Sequence, residues 1–245
     1  MLFKFCRKVR LKLLIESAKK FGFIALGSHH VYFKDITENS TIVDIGGNKG
    51  EFLKAVKSKI NCKYYFVEVD KSLFSFLPEF PKLIKSNFAI SSKKENLKFY
   101  CSNNSEANSF NETIASKYGI REILEVQTET LESYSASNEI DRINLLKIDV
   151  EGAEIDILKN ANKYFLQKID QITIEFHEVY DEKLMIPTLE CISILKENGF
   201  YEIVMYDNSF EDVVFLNSKR FMFSKTQFFW LKFHQLLQYK PKFKN

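Results

Sequence analysis

The sequence predicts an α/β fold built on a doubly wound, mostly parallel sheet, with an antiparallel strand near its C-terminal end. Short apolar runs alternate with amphipathic, helix-like stretches from about residue 41 onward, which is typical of a parallel sheet with helices on both faces. The first apolar run, 41–45, ends in glycines, which indicates a buried strand followed by a tight turn. The last two runs, 200–206 and 213–216, are interpreted as an antiparallel pair.

The strands are predicted from runs rich in apolar, β-branched and aromatic residues, such as KYYFVEV. Residues 102–120 are instead rich in Asn and Ser and predict a loop that carries a short helix. In chain order, strands are predicted at 41–45, 63–69, 83–90, 97–101, 142–150, 169–176, 200–206 and 213–216.

The helices are predicted from apolar residues at helical spacing and from the residues that end a helix. Phe52, Leu53 and Val56 share one face of the first helix. Pro78 ends the second helix, and Gly199 ends the last. In chain order, helices are predicted at 51–60, 71–81, 153–161 and 188–198.

The length of 245 residues suits one larger domain with additions at its ends. We predict an N-terminal basic helical extension over 1–40, the main domain over 41–216 and a basic, aromatic segment over 217–245. The first residues are apolar but interrupted by Lys and Arg, so they resemble neither a signal peptide nor a membrane span. Four separated cysteines form no CxxC pair, which favours reduced thiols and a cytoplasmic protein.

The net charge of +3 conceals an uneven distribution. Residues 1–20 and 217–245 carry seven basic residues each, which leaves the body of the chain at −10. Basic and aromatic residues together suit peripheral contact with anionic lipid on the inner face of the membrane. The alternative is that both segments pack on the sheet, or on the partner in a homo-oligomer. Nucleic acid is a weaker prospect because the acidic body would repel phosphate.

The turn after the first strand has the pattern D-x-G-x-x-x-G, which differs from the dinucleotide fingerprint and from the phosphate loop. Glycines let the chain turn tightly and allow a ligand to approach the backbone. Asp44 at the strand end suits a cationic ligand group, and S-adenosylmethionine carries both a sulfonium and an ammonium. The alternative is a glycine turn that serves geometry alone. The predicted cofactor residues of this turn are Asp44, Gly46, Gly47, Asn48 and Gly50.

Further cofactor contacts are predicted after the second and third strands. An acid about 20 residues beyond the glycine turn is placed to accept the two ribose hydroxyls, and Glu68 is our choice. Asp70 is the second choice and can equally cap the next helix. Val69 lies beside Glu68, and Asn87 with Ala89 follows the third strand near the expected adenine edge. A turn role for Asn87 is the alternative.

Charged residues surround the ends of the fourth and fifth predicted strands. Alternation places Lys147 and Asp149 on one side of their strand, and Lys147 either acts in catalysis or pairs with Asp149 or Glu175. Glu175 and His177 share a face at the end of the next strand. The general base is predicted to be His177, whose intrinsic pKa suits this role near neutral pH, or Asp149. Asp149, which lies where the crevice should be, is also predicted to contact the cofactor, and Lys147 and Glu175 complete the predicted catalytic set. A His177 without chemistry is the alternative. His29, His30 and His234 receive no catalytic role.

A divalent metal is a further option at the same place. Asp149 with Glu175 or His177 offers ligands to a hard cation that would polarise a substrate hydroxyl. The sequence does not separate this mechanism from a plain general base.

These segments resemble the FkbM-type S-adenosylmethionine-dependent methyltransferases over about residues 41–206. The matching stretches are VDIGGNKGEF, VEVD, NFAIS, TLESY and LLKIDVEGAEIDILKNA, the last being the most specific. The resemblance implies a class I methyltransferase fold, which is Rossmann-like, and O-methylation. The chain departs from the family at Gly47, where Ala is usual, and at Val69, where Pro is usual.

The predicted function is therefore S-adenosylmethionine-dependent methylation of a saccharide or glycoconjugate hydroxyl. Two alternatives are methylation of ribose or of another small-molecule hydroxyl, and a non-catalytic subunit that binds cofactor or glycan. The four prolines are never adjacent, so the [DNS]-P-P-[FYW] motif of amino-group methyltransferases is absent. The sequence also lacks the Pro-Cys pair that cytosine-C5 methyltransferases use for a nucleophilic thiol.

Overall fold

The computed structural model describes residues 16, 18–205, 209–227, 229–230 and 233. Its strands are β1 (Phe23–Leu26), β2 (His29–Tyr32), β3 (Thr41–Ile45), β4 (Lys63–Val67), β5 (Leu83–Ser86), β6 (Ala89–Ile90), β7 (Asn96–Ser102), β8 (Ile120–Glu129), β9 (Leu145–Ile148), β10 (Gln171–Ile174), β11 (Phe200–Val204) and β12 (Val213–Asn217). Its α-helices are α1 (Glu51–Lys57), α2 (Lys71–Phe74), α3 (Glu112–Ser116), α4 (Leu131–Ser137), α5 (Glu154–Lys159), α6 (Lys163–Leu166) and α7 (Met185–Glu197). Short 3₁₀ turns span Ser105–Ala107 and Glu182–Leu184.

Seven strands form the central sheet in the order β11-β12-β10-β9-β3-β4-β5. From β5 to β10 all neighbours are parallel, whereas β12 runs antiparallel to both β10 and β11. The mixed α/β, mostly parallel sheet and the C-terminal antiparallel pair are thus confirmed. The chain moves outward through β3, β4 and β5, then returns to β9 on the other side of β3. A crevice therefore opens at the carboxyl ends of β3 and β9, where the strand order reverses.

The central strands are apolar throughout because both faces of the sheet are covered. Val43 and Ile45 of β3 belong to one hydrophobic cluster, which also contains residues of α4 to α7. Ile42 of the same strand belongs to a second cluster with Phe52 of α1. Alternate side chains of one strand thus pack on opposite layers of the fold. The packing of both layers fixes the position of the strand ends that border the crevice.

A smaller sheet in the order β6-β8-β7 lies beside the main one and was not expected. The predicted strand at 83–90 is wrong as a single element, because the chain breaks after Ser86 and β6 joins the small sheet. The ten-residue strand β8 was missed because charged and polar residues interrupt its apolar pattern and only one of its ten residues is buried. The predicted loop at 102–120 does carry a short helix, α3.

The N-terminal region differs from the predicted helical extension. Residues 23–32 form an antiparallel hairpin, β1–β2, whose apolar and aromatic residues flank a turn at Gly27. Gln171 of β10 fixes this hairpin, because its side chain pairs with both the N–H and the carbonyl of Tyr32 at 3.0 and 2.8 Å. Asp212 holds the backbone and ring of His30 at 3.1 and 2.5 Å. The basic residues of 1–15 lie outside the described residues.

Part of the C-terminal segment packs on the same hairpin. Trp230 stacks on Phe21 at 4.6 Å, and Phe221 meets the ring of Tyr32 at 5.3 Å. Residue 206 of the predicted strand 200–206, and 234–245 with His234, lie outside the described residues. None of the described helices has the length and apolar character needed to cross a bilayer. Contact of the basic ends with anionic lipid stays a prediction.

Candidate active site

A cleft of about 390 Å³ lies at the carboxyl ends of the central strands. Small-molecule sites usually have volumes of about 300–1,000 Å³. The predicted site residues that line it are Gly46, Gly47, Asn48, Glu68, Val69, Ala89, Lys147, Asp149, Glu175 and His177. Three other predicted site residues, Asp44, Gly50 and Asn87, do not line it. Ten of the thirteen predicted site residues therefore line one cleft, and the other three lie beside it in the chain without lining it.

The turn after β3 requires glycine for steric reasons. Gly46 has a φ of 70°, and a Cβ atom there would lie 1.8 Å from the carbonyl oxygen of Asp149. A Cβ atom on Gly47 would lie 2.0 Å from the ring of Phe66. Gly50 precedes α1 as its N-cap. The turn thus packs directly against the end of β9, which joins the two predicted motifs.

Glu68 lies on the cleft wall just after β4. Its two carboxylate oxygens accept the N–H groups of Asn48 and Asp70, each at 2.7 Å. Burial raises the pKa of Glu68 to about 7. Each carboxylate oxygen has a second lone pair, so Glu68 can still accept hydroxyl donors from a ligand.

Two neighbours of Glu68 support the cleft rather than face it. Asp70 caps α2 by accepting the N–H of Ser72 at 2.8 Å, so its predicted role as a helix cap is confirmed. The amide of Asn87 donates to the carbonyls of Glu68 and Val69 at 2.8 and 3.0 Å. These bonds fix the backbone around Glu68.

A buried chain of charges joins the turn to the next strand. The ammonium of Lys147 lies 3.3 Å from Asp44 Oδ1 and 3.4 Å from Asp149 Oδ2, and it donates to the carbonyl of Gly46 at 2.6 Å. Burial opposes the charge on Lys147, but Asp44 and Asp149 outweigh it and raise the pKa of Lys147. Lys147 is therefore a fixed cation, and Asp44 faces this lysine instead of the cleft.

The environment of His177 does not suit the predicted general base. Its ring is 1% exposed, with Nε2 2.9 Å from Glu151 Oε2 and Nδ1 2.7 Å from Glu154 Oε1. Although burial disfavours the charged ring, Glu154 and Glu151 raise the pKa of His177 well above its usual value. A protonated imidazolium held between two carboxylates has no lone pair with which to accept a proton.

Asp149 faces the cleft between several charged groups. Burial would raise its pKa, but the charge of Lys147 and the close approach of the His29 ring together lower it. In contrast, burial and the charge of Asp149 raise the pKa of Glu175 to about 8. Burial likewise raises the pKa of Glu151 to about 7. Asp149 is therefore the carboxylate that stays ionised across the neutral range.

His29 was given no role in the sequence analysis, yet it lines the cleft. Its Nε2 lies 3.5 Å from Asp149 Oδ2, and its ring packs edge-on against Phe52 at 5.7 Å. Two groups of residues converge within metal-binding distance, namely His29 with Asp149 and Glu175, and Asp149 with Glu151 and His177. The β-rich run at 29–32 is the sequence signal for the hairpin. It was overlooked because residues 1–40 were predicted to be helical.

Comparison with known proteins agrees with this arrangement. The sequence model described as Methyltransferase FkbM domain matches residues 44–206, about two thirds of the chain. The matched region begins at Asp44 and contains the glycine turn, Glu68, Asp149 and His177, but not the hairpin that carries His29. No curated protein matches the sequence significantly.

Proposed function

The chain belongs to the FkbM methyltransferase family, and from that premise we propose that it methylates a hydroxyl of a saccharide or glycoconjugate with S-adenosylmethionine. One observation carries this proposal. The glycine turn and Glu68 open onto the same cleft as Asp149 and Glu175, so a donor and an acceptor can meet there. The strand order, with its reversal beside β3, supports a class I methyltransferase fold of the Rossmann-like kind.

The residues on the side of the cleft formed by the glycine turn and Glu68 fit the proposed cofactor. Gly46 and Gly47 bring backbone to the cleft without side chains, and Glu68 offers acceptor-only oxygens to the two ribose hydroxyls. The N–H of Asn48 holds Glu68 in place from the turn itself. Val69 and Ala89 add apolar wall on the same side.

When bound, S-adenosylmethionine supplies an electrophilic methyl group. The protein has to hold the acceptor oxygen in line with it, and alignment alone can supply about 7–11 kcal/mol of barrier reduction. As the oxygen gains the methyl group it becomes a strong acid, so even a weakly basic carboxylate can take its proton. We assign that step to Asp149, because Lys147 keeps it ionised and it faces the cleft.

The side of the cleft lined by Asp149, Glu151 and Glu175 is called the acceptor side. Its charge supports a neutral, hydroxyl-rich acceptor. Asp149 stays ionised, so it accepts hydrogen bonds and repels anionic groups such as phosphate, and the carboxyl groups of Glu151 and Glu175 beside it offer further hydrogen-bonding atoms. This charge pattern favours a saccharide over nucleic acid.

The test compares the wild-type chain with Asp149→Asn on a panel of glycans, with release of S-adenosylhomocysteine as the readout. We expect turnover to fall by about 10²–10⁴-fold, while the calorimetric affinity for S-adenosylmethionine changes by less than about threefold. Asp156→Asn on the exposed face of α5 is the matched control and should behave as wild type.

Normal turnover in Asp149→Asn would remove the proposed base. Absence of S-adenosylmethionine binding by the wild-type chain would remove the proposed cofactor. Binding without turnover on any hydroxyl acceptor would favour the non-catalytic alternative.

A further inference from the structure

The acceptor side of the cleft contains more negative than positive charge. Five carboxyl groups cluster there, Asp44, Asp149, Glu151, Glu154 and Glu175, and they surround two cationic groups, Lys147 and His177. Repulsion between buried carboxylates is strong because the local dielectric is low. A further cation would offset this repulsion.

The cluster includes a histidine whose ring has no firm hydrogen-bond partner among the described residues. His29 is 2% exposed, and its Nδ1 has no hydrogen-bond partner among the described residues. Within the same described set, its single polar contact is the 3.5 Å approach of Nε2 to Asp149. That distance is too long for a strong hydrogen bond. The buried imidazole of His29 therefore lies beside the carboxyl groups of Asp149 and Glu175 without a firm partner among the described residues.

The carboxylates beside His29 also have free ligand positions. Asp149 uses Oδ2 for Lys147, whereas its Oδ1 is buried and accepts no hydrogen bond from the described part of the chain. Across the described residues, no hydrogen bond to Glu175 is formed either, and its nearest ion contact is His177 at 4.0 Å. One ligand atom each of His29, Asp149 and Glu175 lies within 4.8 Å of the others.

We propose that His29, Asp149 and Glu175 bind one divalent cation. An imidazole nitrogen with two carboxylate oxygens suits a first-row transition ion such as Mn²⁺ better than Ca²⁺, which takes oxygen ligands. The other converging group is a poorer site, because carboxylate oxygens of Glu151 and Glu154 already lie 2.9 and 2.7 Å from the two nitrogens of His177 as ion-pair partners, whereas His29 has no contact of that length to a carboxylate among the described residues. The site thus replaces the His177 of the sequence prediction by His29.

The hairpin β1–β2 is therefore part of the site, although it lies outside the region matched by the family. Its attachment through Gln171 and Asp212 holds His29 at the cleft. A bound cation would hold the acceptor hydroxyl near Asp149. This role rests on the proposed function, whereas binding of the ion itself does not.

The experiment titrates Mn²⁺ into the metal-stripped full chain by calorimetry, with neither S-adenosylmethionine nor acceptor present. We expect one site in the wild-type protein, and binding at least tenfold weaker in His29→Gln and in Glu175→Gln. Glu151→Gln is the matched control and should stay within about threefold of wild type. Glu175→Gln keeps the shape of the side chain and leaves no buried charge without a partner, so it should fold even if His29→Gln does not.

Absence of a Mn²⁺ site in the wild-type chain would overturn the proposal. So would loss of binding in Glu151→Gln while His29→Gln and Glu175→Gln bind normally, since that result places the ion at the other group. A parallel titration with S-adenosylmethionine separates the two proposals, because failure of one titration leaves the other interpretable.

Discussion

The two sides of the cleft are built on different physical principles. The glycine turn, residues 46–50, is fixed by shape, because added Cβ atoms at Gly46 and Gly47 would meet neighbouring atoms at 1.8 and 2.0 Å. The acidic end, which comprises His29, Asp149, Glu151, Glu175 and His177, is fixed by charge and by side chains from separate segments. The glycines that the turn requires are recognisable as a local sequence pattern. The charge balance of the acidic end depends on the whole fold.

This difference has a measurable consequence. A steric error in the glycine turn should damage the protein at every pH and salt concentration. The loss of stability caused by substituting a charged group should depend on which partner charge remains, and hence on pH. Lys147 contacts both sides, so it is the residue whose loss should affect both.

Gly46→Ala should have the largest effect. The new Cβ atom would meet the backbone of Asp149, and alanine would occupy a left-handed conformation, so we expect a loss of about 4–5 kcal/mol of unfolding free energy. Urea denaturation measures this loss, and calorimetry should detect no S-adenosylmethionine binding.

Gly27→Ala is the matched control, because Gly27 has a similar φ of 63° with nothing within 4 Å of the added atom. It should lose only the backbone term, about 1–2 kcal/mol. Equal losses in the two variants would show that the contact between the glycine turn and β9 does not matter.

Lys147→Met should have the next largest effect. It leaves the fully buried Asp44 without its cation and the Gly46 carbonyl without its donor, which should cost about 3–4 kcal/mol. Denaturation at neutral pH measures the loss. Lys54→Met is the control, because its ion pair with Glu51 is exposed and should contribute at most about 1 kcal/mol. A Lys147→Met protein as stable as this control would contradict the proposed link between the two sides.

The same contrast explains what the sequence could predict. The strands β3, β4 and β9 and the turn at Gly46 were predicted because their signals are local, namely mostly apolar, β-rich runs and, after β3, two glycines. Glu68 was placed on the cleft wall because strand ends meet at one edge of a parallel sheet.

The acidic end could not be predicted in the same way. That Asp44 faces Lys147 depends on the register between β3 and β9. That His177 is held between two carboxylates depends on Glu154, which turns back from the start of α5. His29 reaches the cleft only because Gln171 and Asp212 fix the hairpin to the sheet. Each of these contacts joins residues distant in sequence.

Glu68→Gln should weaken cofactor binding without destroying the fold. The amide keeps one acceptor oxygen, so we expect S-adenosylmethionine to bind about 10- to 100-fold more weakly, as for the loss of a charged hydrogen bond. Calorimetry at pH 8 measures the change. Glu51→Gln, on the exposed rim of the same cleft, is the control and should bind normally. Unchanged affinity in Glu68→Gln would move the ribose site elsewhere.

The pH dependence of stability provides the finest comparison. The pKa of Glu68 is about 7 in the folded protein, against 4.5 for an unperturbed glutamate, so the folded state holds its proton more tightly. The stabilisation is complete below about pH 4.5 and is lost as the pH rises through about 7. Wild type should therefore lose about 2 kcal/mol more than Glu68→Gln between pH 5 and pH 8. Glu151 and Glu175 shift in the same direction, but they are present in both proteins and largely cancel in the difference. Urea denaturation at the two pH values checks this, and parallel losses would mean that Glu68 is already ionised in the folded protein at pH 5.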